Sequence, residues 1–85
     1  MKPLTRWHCL DCGVDTEDEG EWYMLHDDLW LRANPEGDGM LCVGCVEARL
    51  GRQLSRSDFK DVLLNDIPGP YPQSARLLRR LIACR

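Results

Sequence analysis

Two Cys-x-x-Cys pairs, Cys9 with Cys12 and Cys42 with Cys45, stand 29 residues apart and constrain this chain more than anything else in it. Each pair can present two sulfurs to one ion about 2.3 Å away, and two pairs complete a tetrahedral shell. Such a shell is closed and leaves no position for water or substrate, so the spacing predicts one structural zinc ion held by Cys9, Cys12, Cys42 and Cys45. Binding of that ion, worth of order 10 kcal/mol in small zinc domains, becomes folding free energy. A chain of 85 residues needs the supplement, because a domain of this size buries only about two thirds of its unfolded surface.

The same cysteines have two other readings. A rubredoxin-like iron site uses similar pairs, and neither the softness of sulfur nor tetrahedral geometry separates the two metals. Its second knuckle is expected to carry Gly after the last Cys, where this chain has Val46. Disulfide pairing is the other, with one of five cysteines left over. Against it, Met1-Lys2-Pro3-Leu4-Thr5-Arg6 runs into the first motif with no apolar stretch and small-residue cleavage site, so the expectation is a cytoplasmic chain with reduced thiols. An apolar fraction of 44% with three Trp is too rich for a disordered chain. No apolar run approaches the ~20 residues that span a bilayer, so no membrane partner is expected.

The pattern of residues predicts a small α+β domain. Gly13 follows the first pair as the residue that tolerates positive φ in a tight knuckle. Residues 15 to 21 form an acidic stretch without periodicity, expected as a solvated loop with no partner. Glu21 to Leu25 reads as a short strand, and His26 to Ala33 as one or two helical turns with Asp as N-cap, ended by Asn34-Pro35. After a second short strand at Met40-Leu41, Cys42 to Cys45 leads into a helix over Val46 to Leu50, with Cys45 in its first turn and Gly51 as its cap. Ser55, Asp58 and the Leu54–Phe59 staple predict a helix from 55 to about 64. Ile67-Pro68-Gly69-Pro70-Tyr71-Pro72 is a stiff connector, after which Ser74 caps a last helix from Ala75 to about Cys84 with Leu77, Leu78, Leu81 and Ile82 as its apolar stripe. This divides the chain into a zinc-binding core over 1–54 and a two-helix extension over 55–85 that packs on it. Cys84 reads as a small buried residue of the last helix.

A knuckle, short strands and a second cysteine pair opening a helix together resemble a treble-clef zinc finger over residues 7 to 52. Trp22-Tyr23-Met24, Leu29-Trp30 and the run from Gly39 to Arg52 also look like a group of small bacterial and phage zinc-finger proteins, mostly uncharacterised, as far as Asp58-Phe59. That resemblance implies no activity. Part of Gly39 to Gly51 is in addition similar to His-Me finger recombination endonucleases of phages, which join a CxxC-Gly knuckle to a Gly-Leu-Leu-Cys-x-x-Cys-Asn-x-x-Leu-Gly helix. There the resemblance implies His26 as base beside Asp27 and Asp28, but Val46 stands where the Asn ligand belongs, and a catalytic metal then lacks a holder. His8, beside Cys9, is expected to hydrogen-bond near the metal site.

Charge is distributed unevenly. Residues 1 to 45 carry 3 basic and 10 acidic side chains, and residues 46 to 85 carry 8 and 4, which is −7 against +4. No nucleophile and base pair, phosphate-binding Gly loop or open metal site is visible, and no small-molecule substrate is expected. The leading functional expectation is therefore a non-enzymatic adaptor or regulator that binds a protein partner, with three Trp, Tyr23 and Tyr71 exceeding the needs of so small a core. The alternative is nucleic-acid binding through the basic half, by Arg49, Arg52, Arg56, Arg76, Arg79 and Arg80, with Arg85 beyond them. An acidic sequence pI of about 5.2 counts against strong nonspecific binding. A His-Me finger nuclease is the least expected function.

Overall fold

The computed structural model describes residues 7–83; Cys84, Arg85 and the segment before Trp7 lie outside the described residues, and with them the readings placed there. Three α-helices form: α1 (Asp27–Ala33), α2 (Val43–Leu50) and α3 (Ala75–Ile82). In α1 the two Asp residues do not cap. His26 holds the N-cap position without a side-chain bond, and Asp27 and Asp28 occupy the first turn, where the helix dipole favours negative charge. Helix α2 starts at Val43, three residues ahead of the expected start, with Cys42 as N-cap and Gly51 in the left-handed conformation at its end. Helix α3 begins where the sequence places it, the Ser74 hydroxyl accepting from the Leu77 N–H.

Two expectations are corrected. Strand structure is minimal: among the described residues β-pairing is limited to isolated bridges, His8 with Asp15, Cys9 with Met40 and Leu25 with Phe59. The aromatic run at 21–25 is extended but has no neighbouring strand to continue its ladder. At Met24 the Asn65 side chain acts as that neighbour, Oδ1 accepting from the Met24 N–H at 3.0 Å and Nδ2 donating to the Met24 carbonyl at 2.7 Å.

The helix expected over 55–64 is also absent, replaced by short 3-10 turns at Arg56–Asp58 and Leu63–Asn65. The capping box does form, the Asp58 carboxylate accepting from the Ser55 N–H at 2.8 Å, yet no helix follows. Phe59 is extended instead and bridges Leu25, while the Lys60 N–H donates to the Met24 carbonyl. Burial of Phe59 against Tyr23, ring centroids 6.0 Å apart, outweighs the local propensity of five or six residues.

One core cluster joins these pieces: Cys9, Tyr23, Leu25, Leu29, Ala33, Leu41, Cys42, Val43, Val46, Leu54, Phe59, Leu77 and Leu81. Leu77 and Leu81 lie one turn apart on α3 and are fully buried, whereas Ile82, on the expected stripe, is exposed. Leu77→Ala is therefore expected to cost about 2–5 kcal/mol and Leu63→Ala, on a side chain 77% exposed, less than about 0.5 kcal/mol. Denaturant melts of the two variants check this, and equal costs would contradict the docking of α3.

Candidate metal centre

The knuckle is built by backbone hydrogen bonds. Cys9 N–H donates to the Val14 carbonyl at 2.8 Å, Gly13 N–H returns to the Cys9 carbonyl at 2.9 Å, and Leu10 N–H reaches the Met40 carbonyl at 2.9 Å. Gly13 takes a φ of 79°, as the turn requires. The last of these bonds lays the knuckle beside the segment entering α2. Cys42 and Cys45 then project from the N-cap and first turn of α2 toward Cys9 and Cys12.

All four sulfurs lie within 4.8 Å of one another. A tetrahedron with metal–sulfur bonds near 2.3 Å has edges of about 3.8 Å, and Cys12 Sγ and Cys42 Sγ stand 3.7 Å apart. A disulfide needs about 2.05 Å, and the four cysteines are free thiols. Their donor set therefore fits a single four-coordinate soft metal ion. Cys9 and Cys42 are buried, Cys45 is half-buried and Cys12 is exposed, so the centre lies at the edge of the core.

Electrostatics point the same way. Burial pushes the Cys9 thiol up, but backbone N–H groups around Cys12, Cys42 and Asp11 outweigh it and bring the group down to about 6. Burial raises Cys42, and burial together with the thiols of Cys42, Cys9 and Cys12 raises Cys45. One thiolate forms readily and makes the next more costly. A cation among the sulfurs reverses that order, since it favours all four charges at once and binds with release of protons.

A second polar assembly lies on the same helix end. Glu21 is buried, and Oε1 accepts from the Val43 N–H at 3.0 Å, an amide of the first turn of α2 that has no partner inside the helix. Arg76 of α3 closes on both carboxylate oxygens, Nη2 to Oε1 at 2.6 Å and Nε to Oε2 at 2.9 Å, and the Ser74 hydroxyl donates to Oε2 at 2.8 Å. Burial would raise the Glu21 carboxyl, but Arg76, the Val43 amide and Ser74 hold it below its ordinary 4.5. One turn further on, Arg80 pairs with Glu47 of α2, which also accepts from the Leu54 N–H. The solvated loop expected over residues 15–21 is thus corrected toward both of its ends, while residues 17–19 are exposed. Thr16 and Glu21 are buried, and the Gly20 backbone lies so close to residues 72–74 that a Cβ there would meet Ser74 N at 2.9 Å.

The arginines considered for nucleic-acid contact are mostly engaged inside the molecule. Arg49 pairs with Asp11 in the knuckle, Arg52 with Asp58, Arg76 with Glu21 and Arg80 with Glu47. Arg56 donates to the Leu81 carbonyl at the end of α3, and Arg79 is exposed. His26 is exposed at the start of α1, its N–H donating to the Asp58 carbonyl, and Val46 is fully buried in the core. His8 is half-buried beside Cys9 and bridges Asp15. Glu21 and Glu47 were missed because a sequence does not reveal which carboxylate faces which arginine. The one available signal was the spacing of Arg76 and Arg80, four residues apart and each beside a leucine of the apolar stripe. Comparison with protein-family models, curated proteins and solved structures gives no match.

Two outcomes are expected. Cobalt(II) titrated into the reduced chain should give the intense visible absorption of tetrahedral thiolate coordination, saturating at one equivalent, and Cys45→Ser should lose it; saturation at two would contradict a single centre. Arg76→Ala should cost about 2–4 kcal/mol near neutral pH, short of the full penalty for breaking a buried pair because the arginine side chain is 40% exposed. Since the folded Glu21 value is lowered, this difference is present above 4.5 and is lost as pH falls below it through the lowered folded value. Melts of Arg76→Ala and native protein across that range test the sign, and a cost that grows in acid would contradict it.

Proposed function

We propose that this protein is a zinc-stabilised, treble-clef-like adaptor that binds a protein partner and has no catalytic activity of its own, akin to the small bacterial and phage zinc fingers it resembles. The observation that carries this reading is the closure of the four sulfurs on one another, which leaves a metal between them no open coordination position. Zinc is the fitting ion because it takes four thiolates without a redox change. The knuckle at Cys9–Gly13 and the second pair at the start of α2 support the treble-clef layout.

With the metal structural, function falls to the surface. Leu10 and Leu31 are 52% and 49% exposed and flank the turn at Gly37–Gly39, an apolar rim suited to a protein partner. Nucleic-acid binding draws less support, because pairs such as Arg49–Asp11 and Arg76–Glu21 use the positive charge of the second half to neutralise the acidic first half. The nuclease reading draws less still, with Val46 in the core and His26 away from the sulfurs in sequence and exposed.

Purified protein should contain one zinc per chain by elemental analysis. It should recover a protein partner from its native host after nuclease treatment of the extract. Recovery that disappears with nuclease would favour the nucleic-acid reading, and magnesium-dependent DNA cleavage lost in His26→Ala would overturn the non-enzymatic one.

A further inference from the structure

Three aromatic rings meet in series, at tilted and edge-on angles, beside the acidic loop. Trp7 and Trp22 have ring centroids 4.9 Å apart, and Trp22 meets Tyr71 edge-on at 4.8 Å. Next to them lies a cavity of about 280 Å³ lined by Glu17, Asp18, Trp22, Tyr71 and Pro72. No basic side chain lines it among the described residues, and the carboxylates of Glu17 and Asp18 are exposed and make no ion pair there. Tyr71 is 52% exposed although a ring of its size ordinarily seeks cover.

The walls are fixed before anything binds. Asp15 Oδ1 accepts from the Glu17 N–H at 3.0 Å, the Glu19 N–H donates to the Asp15 carbonyl at 3.0 Å, and the Glu21 N–H donates to the Thr16 carbonyl at 2.9 Å. On the other side the Ser74 N–H donates to the Gly20 carbonyl at 2.7 Å, which ties the acidic loop to the segment carrying Tyr71 and Pro72. Both walls are anchored again through Glu21, whose carboxylate holds Ser74 and Arg76. A site held this way loses little further freedom when occupied.

From this geometry we infer that the cavity binds an arginine side chain of the protein partner. Aromatic faces attract cations through their quadrupole, and the lining carboxylates of Glu17 and Asp18, which make no ion pair among the described residues, add the charge. Arginine suits both walls better than lysine, because a planar, weakly hydrated guanidinium stacks on a ring while its edge donates to carboxylates. The surrounding half of the chain carries −7, so its field draws cations toward this face. This inference rests on the adaptor reading and names the partner chemistry that one of its surfaces selects.

The test is a titration of the isotope-labelled, metal-loaded full chain with the peptide acetyl-Gly-Arg-Gly-Arg-Gly-amide at low salt, followed by NMR. The Trp22 indole N–H, which is buried and has no hydrogen-bond partner among the described residues, is the reporter. The arginine peptide should shift it saturably, and the peptide with neutral citrulline in place of arginine should not. Tyr71→Ala should weaken binding about two- to fivefold, and Glu17→Gln with Asp18→Asn about fivefold, with the remaining spectrum unchanged. No shift, equal binding of the citrulline peptide, or undiminished binding by the carboxylate variant would overturn the assignment. A partner that binds the Tyr71 and carboxylate variants as tightly as the native chain would overturn the arginine site and leave the adaptor reading standing.

Discussion

The first turn of α2 joins the sulfur cluster to the last helix. A helix of eight residues is too short to be stable alone, and its N-terminus is where the two assemblies meet. Cys42 and Cys45 commit this turn to the sulfur cluster, and the Val43 amide commits it to Glu21. From the cluster the path leads back to the knuckle; from Glu21 it leads to Ser74, Arg76 and α3. The sulfur cluster and the docking of the last helix are therefore linked through one turn of backbone as well as through the core that Cys9, Cys42, Val43 and Val46 share with Leu77 and Leu81. That economy suits a chain whose apolar core is small.

The charged pairs do more to specify than to stabilise. Desolvating a carboxylate costs several kcal/mol, which the partners in a buried pair recover only when geometry is good. At Glu21 it is good, since both oxygens receive a forked guanidinium and two further donors. Arg76 and Arg80, one turn apart on the same flank of the line of Leu77 and Leu81, meet Glu21 and Glu47, so the pairs set the register of α3 while the leucines supply the apolar burial. A one-residue rotation of α3 would leave two carboxylates with reduced partners. Asp11–Arg49, about a third exposed on each side, adds little energy but fixes the knuckle against α2.

Legibility in the sequence followed the range of the interactions. The cysteine grouping, the start of α3 at Ser74 and the end of α2 at Gly51 are local signals, decided by residues within one turn, and all three appear in the structure. The helix expected over 55–64 had equally good local signals in Ser55 and Asp58, and it failed because Phe59 is pulled into an extended bridge by Leu25 and Tyr23, far away in sequence. The strand at 21–25 failed for a related reason, since Asn65 supplies by side chain what a strand supplies by backbone. Charge was read correctly in amount and incompletely in meaning. Opposite excesses in the two halves are also what a chain needs to pair Asp11 with Arg49, Glu21 with Arg76 and Asp27 with Lys60 between those halves.

If a metal ion holds the first turn of α2, its removal must release α3 as well, although α3 contributes no sulfur among the described residues. Amide hydrogen exchange of α2 and α3 during stepwise chelation under reducing conditions measures this directly. Protection in α3, including the Leu77 amide bound to Ser74, should be lost together with that of α2 as metal leaves, and should return with one equivalent of zinc. Retention of α3 protection in fully chelated protein would contradict it, and would place the organising centre in the apolar core rather than in the sulfur cluster.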